Sequence, residues 1–128
     1  MKLEKGVNGK MELRKPVPAP YSSAVRADNL IFTSGHLPLD ENGNKVEGGI
    51  IEQTHQVMKN LKATLEAEGS GLSKVVKATV LLRNRNDWAG MNEVYALYME
   101  DNRPARTAIT AGDMKLGSLL EIEVIARI

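Results

Sequence analysis

Residues 50–82 read IIEQTHQVMKNLKATLEAEGSGLSKVVKATVLL, and their change of period decides the fold class. Ile50, Thr54, Val57, Met58, Leu61 and Leu65 recur at helical spacing, while Lys59 and Lys62 fall on the opposite, solvated face. Gly49 can serve as N-cap and Gly69 as the stop, so the spacing predicts a helix over Ile50–Glu68. Val75–Leu82 then turns β-branched and apolar and reads as a largely buried strand.

The same punctuation continues on both sides. Asn84–Asp87 breaks the strand, and Asp87–Glu100 reads as a second helix with Trp88, Met91, Tyr95 and Tyr98 along one stripe. Beyond Pro104, Thr107–Ala111 and Leu119–Ile128 read as two strands joined by a turn near Gly112–Gly117. Towards the N-terminus, Tyr21–Ala27 and Leu30–Ser34 form an expected hairpin around Asp28-Asn29, and Asp40–Gly49 is a loop. Residues 1–15 are the least regular, with a turn at Gly6, Asn8 and Gly9 and a short strand at Met11–Lys15. Pro16, Pro18 and Pro20 then impose an extended path. Strands separated by two helices point to one α+β domain over residues 1–128, with the helices on one face of the sheet. In the last strand Ile122, Val124, Ala126 and Ile128 alternate with Glu121, Glu123, Ile125 and Arg127. A second face that is half apolar suits a partner subunit better than open water.

Composition excludes several chemistries. Lys plus Arg number 17 and Asp plus Glu 16, a net charge of +1 that gives no reason to expect nucleic acid or an anionic membrane. The absence of cysteine removes disulfides, a thiolate nucleophile and Cys-ligated zinc. Only His36 and His55 are available, which argues against a multi-His metal site, and none is expected. Met1–Lys10 lacks the apolar core of a signal peptide, so the cytoplasm is the default compartment. There is no P-loop, dinucleotide fingerprint, nucleophile elbow or H-E-x-x-H.

Chemistry is left to carboxylates, Arg, hydroxyls, backbone and water. Arg106 and Glu121 are the most suggestive pair, since antiparallel pairing through the Gly112–Gly117 turn would bring them together. Arg can hold a carboxylate in a bidentate fork, and a Glu in a semi-apolar cleft can deprotonate water. The bland alternative is a cross-strand ion pair on a solvated sheet. Tyr21 could place a phenol over a cleft or simply pack at a sheet edge. Ser34-Gly35 could offer an amide or be an ordinary turn. His36 could titrate in a site or sit on the surface. Asn92 could bond a ligand or cap a loop, and the Trp88–Tyr98 stripe reads as core.

Pro18–Ser22, Thr33-Ser34-Gly35, Glu52-Gln53-Thr54, Val75–Leu82, Met91–Tyr98, Pro104-Ala105-Arg106 and Glu121–Ala126 together resemble the RidA/YjgF family, in its order and at similar spacing over residues 16–128. The resemblance implies a chorismate-mutase-like fold of the AroH type: a mixed sheet with two helices on one face, three sheets forming a trimeric barrel. It implies a homotrimer with clefts between subunits and 2-iminobutanoate/2-iminopropanoate deaminase activity without a cofactor. The substrates are reactive 2-imino acids and their enamines, such as 2-aminoacrylate. The family's carboxylate-binding Arg falls on Arg106 and its water-activating Glu on Glu121. Its substrate-binding positions fall on Tyr21, Ser34, Gly35 and Asn92, and on the backbone of Ala108.

The chain departs from the family at Ala19, where Gly is frequent, and at His36, where Gln is usual. Ala108 stands where many members have Cys, and Ala111–Lys115 replaces a Val-Ala-x-Leu-Pro stretch. Rival readings are a non-catalytic trimer that binds small carboxylates, a translation inhibitor or ribonuclease, and a Rid-type deaminase acting on an aminomuconate derivative.

Overall fold

A computed structural model describes the strands Leu3–Lys5 and Met11–Leu13 and residues 19–128. The expected turn at Gly6–Gly9 and most of the proline run lie outside the described residues. Strands β1 (Leu3–Lys5) and β2 (Met11–Leu13) pair antiparallel as a separate ribbon, in line with a short strand beginning at Met11.

The main sheet contains β3 (Ala24–Ala27), β4 (Leu30–Thr33), β5 (Val75–Leu82), β6 (Ala105–Thr110) and β7 (Leu120–Arg127). Their spatial order is β3-β4-β7-β5-β6, with β5 and β6 parallel and every other pair antiparallel. Between β3 and β4, Asp28 takes the left-handed conformation (φ 52°) that the tight turn requires and that Asp tolerates.

Helices α1 (Ile50–Ala67) and α2 (Trp88–Met99) cover one face. At the start of α1 the Glu52 carboxylate accepts the Gly49 N–H at 2.9 Å, and Gly69 (φ 81°) ends the helix. Val57, Met58, Leu61 and Leu65 of α1, with Met91 and Tyr95 of α2, bury the inner residues of β5 and β7. Gln53 is 2% exposed and accepts the Leu119 N–H at 2.9 Å, which ties α1 to the entrance of β7. Among the described residues no helix is long and apolar enough to cross a membrane, and no cluster of His, Asp and Glu could hold a metal ion.

One expectation is overturned. The last two strands are not a hairpin: β7 lies between β4 and β5, and β6 is an edge strand on the far side of β5. Burial explains the choice. VVKATVLL and LEIEVIAR each carry four buried residues on the helix side, so pairing them in the centre covers both. ARTAIT has none fully buried and goes to the edge, reached from β5 by the α2 crossover that parallel strands require.

The face turned away from the helices stays open. Val25, Phe32, Ile125 and Lys77 lie in one row across it, with Val25 55% and Phe32 40% exposed. Glu121, Leu81 and Ile109 form another row, with Ile109 48% exposed. Exposed apolar side chains thus share this face with Lys77, Glu121 and Glu123, beside an edge strand with no further partner among the described residues.

Candidate functional site

The expected site residues fall into two groups. On the helix side of β6, Arg106 lies beside buried Ala78, and its guanidinium stacks over the Tyr95 ring at 4.9 Å. It also points an N–H at Met91 Sδ, 3.9 Å away. Asn92 of α2 lines the same pocket, a cavity of about 280 Å³ between the end of α2 and the start of β6. Ala108 is two residues further on. The Ala111 N–H donates to Leu82 of β5 at 2.8 Å. Because main-chain groups alternate along a strand, the N–H and C=O of Arg106, Ala108 and Thr110 face the open edge. The Ala108 carbonyl is therefore positioned to accept from a ligand or water at that edge.

The second group is at the other end of the sheet. Tyr21, Ser34, Gly35 and His36 line an open groove of about 810 Å³ under the N-terminal part of the chain. The Ser34 hydroxyl donates to the Ser22 carbonyl at 2.6 Å, and the Ser34 N–H donates to the Ser23 carbonyl at 2.9 Å. Among the described residues the Gly35 N–H has no hydrogen-bond partner. Glu121 packs against Gly35 so closely that a Cβ built there would come within 1.9 Å of Glu121 Oε1 and 2.8 Å of its Cγ. It is the absence of a side chain at Gly35, not an unusual φ, that lets the carboxylate take this position.

Arg106 and Glu121 are therefore not the cross-strand pair expected from the sequence. Strand β5 separates them, Arg106 lying opposite Ala78 and Glu121 opposite Leu81, and they project from opposite faces of the sheet. The ion-pair alternative fails for the same reason within one chain. Burial raises the Glu121 carboxyl above the usual carboxylate range, and the Glu123 carboxylate on the same face adds to the rise.

Sequence reasoning left His36 open, and the structure gives it a place. Its main chain bonds reciprocally with Ile122, at 2.7 and 3.2 Å, next to Glu121. Its ring is held at both nitrogens: Nδ1 is 2.8 Å from the Ser34 carbonyl and Nε2 is 2.8 Å from the Thr64 hydroxyl of α1. A carbonyl only accepts, so Nδ1 carries the proton and Thr64 donates to Nε2. His36 thus ties the Ser34-Gly35 corner to α1. Tyr95, read as core, is also the stacking surface for Arg106. Arg103, which no motif singled out, shares the Arg106 pocket; the spacing Arg103-Pro104-Ala105-Arg106 was the available signal.

Burial lowers the His36 pKa below its ordinary 6.5, against the upward pull of the Ser34 carbonyl. The folded state thus resists a proton that the unfolded chain accepts. The His36 contribution to stability is present above about 6.5 and is lost as pH falls from there through the folded-state pKa. His36→Gln should flatten the fall in stability across that window, as read by urea denaturation at stepped pH. An unchanged pH slope would assign the loss to other groups.

A helix-backed mixed sheet, with an Arg at one edge that has no carboxylate partner among the described residues and a partly buried Glu against a bare glycine, defines a small α+β protein. Comparison with known proteins gives its family. The sequence profile of the family Endoribonuclease L-PSP matches residues 12–128, and the chain belongs to that family, the RidA group. It is 47% identical to a RutC family protein of Pyrococcus horikoshii over 88% of this chain and 89% of that protein. It is 44% identical to the mouse protein named 2-iminobutanoate/2-iminopropanoate deaminase over 84% of this chain and 80% of that protein. The crystal structure of E. coli TdcF with bound serine superposes with a TM-score of 0.82 at 28% identity, covering 88% of this chain and 91% of that one.

Proposed function

We propose that this protein hydrolyses reactive 2-imino acids and their enamine tautomers to 2-oxo acids and ammonia, without a cofactor. The sites lie between subunits of a homotrimer. The supporting observation is the split site: Arg106 with Asn92 and Ala108 on one face and edge, Glu121 with Gly35, Ser34 and Tyr21 on the other. A second copy laid against the apolar outer face and the β6 edge brings the two halves together, as in a chorismate-mutase-like barrel of three single-domain chains. The mouse relative's name and the serine bound in TdcF support a substrate class of small amino-acid-derived carboxylates.

The chemistry follows from the residues. Arg106 clamps the substrate carboxylate in a bidentate fork, its plane held by the Tyr95 ring, and Asn92 borders that pocket. The free N–H of Gly35 steadies the same carboxylate from the other copy, and Tyr21 and Ser34 close the groove. Glu121 takes a proton from a water that the Ala108 carbonyl also holds. The oxygen attacks the C=N carbon, and protonated Glu121 passes that proton to the nitrogen to give a carbinolamine. Glu121 then takes the carbinolamine hydroxyl proton and delivers it to the nitrogen as the C–N bond breaks, so that ammonia and the 2-oxo acid leave and Glu121 is again ionised. Such imines hydrolyse slowly in water, so positioning and one acid–base group supply the acceleration needed.

Two other readings are tested by the same assay. The family is described as an endoribonuclease, but a net charge of +1 offers little to a phosphate backbone. A carboxylate-binding regulator would bind without turnover. The test generates imines with an amino-acid oxidase or threonine dehydratase and follows their disappearance. Acceleration proportional to protein concentration supports the proposal. Tight binding of 2-oxo acids with no acceleration would replace it with the regulator.

The raised Glu121 pKa gives a pH prediction. Glu121 acts as a base only when ionised, so the acidic limb of kcat/KM should lie at higher pH than for an ordinary carboxylate. Glu123→Gln removes one cause of the rise and should move that limb to lower pH. A limb that does not move would mean Glu121 is not the titrating base.

A further inference from the structure

The pocket around Arg106 contains a second cation that the mechanism above does not use. Arg103 and Arg106 both line it, and neither forms an ion pair with a carboxylate among the described residues, where the pairs are Lys62–Glu66 and Arg83–Asp113. An anion entering this pocket therefore meets two positive charges. Tyr95 lies beneath Arg106. It is 8% exposed, and its hydroxyl has no hydrogen-bond partner. Burial raises its pKa while Arg106 and then Arg103 oppose the rise, which places the phenol in the field of both cations.

Arg103 is exposed, and its side chain is tethered at one nitrogen. Its Nη1 donates to the main-chain carbonyls of Glu100 and Asn102, which leaves its Nε and Nη2 donors unspent. The segment beneath it is fixed as well, because the Asn102 amide donates to the carbonyls of Leu72 and Val75, each at 3.0 Å. A role at the helix end would occupy Nη1 alone and would not need a second guanidinium at the pocket. The same pocket is also lined by apolar Ala96, Met99 and Pro104. That surface suits methylene groups.

We propose that Arg103 and Arg106 form a two-cation site for small dicarboxylic acids. On the deaminase reading above, on which the substrate part of this proposal rests, the enzyme then accepts imino acids with a second, distal carboxylate. Arg106 takes the carboxylate next to the C=N carbon, the methylenes lie along Ala96 and Met99, and Arg103 takes the distal carboxylate. A monocarboxylate leaves Arg103 solvated and forgoes that contact.

Calorimetric titration of the intact protein with 2-oxoglutarate and with 2-oxobutanoate tests the site directly. Wild type should bind the dicarboxylate about 10-fold or more tightly than the monocarboxylate, the usual scale of one charge-assisted pair. Arg103→Met should remove that preference and leave 2-oxobutanoate affinity within about 3-fold. Arg103→Lys should retain part of it. In the imine assay, kcat/KM for a glutamate-derived imine should fall in Arg103→Met while that for a 2-aminobutanoate-derived imine holds. Equal wild-type affinity for the two oxo acids, or an equal loss of both in Arg103→Met, would overturn the proposal. So would dissociation of the assembly in Arg103→Met by sedimentation, which would assign Arg103 to a subunit contact. Arg103-dependent dicarboxylate binding with neither imine hydrolysed would support the pocket and refute the deaminase reading alone.

Discussion

Arg106→Ala should abolish both turnover and binding of 2-oxo acids, lowering kcat/KM for imine hydrolysis by about 100-fold or more. Arg106→Lys should lose on the order of 10- to 100-fold despite keeping the charge. An ammonium cannot present two parallel N–H groups, and it cannot lie flat on the Tyr95 ring as the guanidinium does. The loss should appear in 2-oxobutanoate affinity as well as in turnover, because the interaction is made with substrate and product alike. Stability should change little. Arg106 is only half-buried, on an edge strand, and has no carboxylate partner among the described residues to leave stranded. Circular dichroism and a denaturant midpoint separate the two effects. Full activity in a folded Arg106→Ala protein would remove the deaminase assignment.

Gly35→Ala should be nearly as damaging, by a different route. A methyl group at this position overlaps Glu121 Oε1 at 1.9 Å and Cδ at 2.7 Å. The carboxylate is the mobile end of a side chain, so it swings away and the fold survives. The general base is then misplaced, and kcat should drop by about 100-fold or more while 2-oxo acid binding through Arg106 persists. Glu121→Gln should match this pattern because it keeps the shape and removes the base. The coupling is the sharper result. Once Glu121 is Ala, adding Gly35→Ala should cost little more, since the overlap has gone. Independent, multiplying losses from the two substitutions would show that Gly35 acts other than by seating Glu121.

Much of the fold was legible in the sequence, and the illegible part has a definite cause. Val75–Leu82 and the two helices announce themselves by local period, and the observed bounds differ from the expected ones by at most a residue or so. The same alternation separated a buried face, Ile122, Val124 and Ala126, from a mixed one, although Ile128, read on the buried face, lies beyond the strand and is 38% exposed. Period does not say which strand lies beside which. A short connection after β6 suggested a hairpin, whereas β7 pairs instead with β4 and β5, where its apolar face is best covered.

That pairing error propagated to the site. Arg106 and Glu121 both lie near strand ends, as the sequence suggests, but not as neighbours. Register assigns them to opposite faces, and register is a non-local property. His36 was unreadable for a related reason. Its ring partners are Ser34, two residues away, and Thr64, on a helix packed from elsewhere in the chain.

Complementation between two inactive variants tests the central claim most directly. Each site is to draw Arg106 from one copy and Glu121 from another. Arg106→Ala and Glu121→Gln chains, each inactive alone, are unfolded together, refolded as a mixture and assayed, with differently tagged chains confirming that mixed assemblies form. Random assortment at equal proportions leaves about one site in four with both residues intact, so about a quarter of wild-type activity should return. Mixed assemblies that remain as inactive as their parents would contradict a site shared between copies.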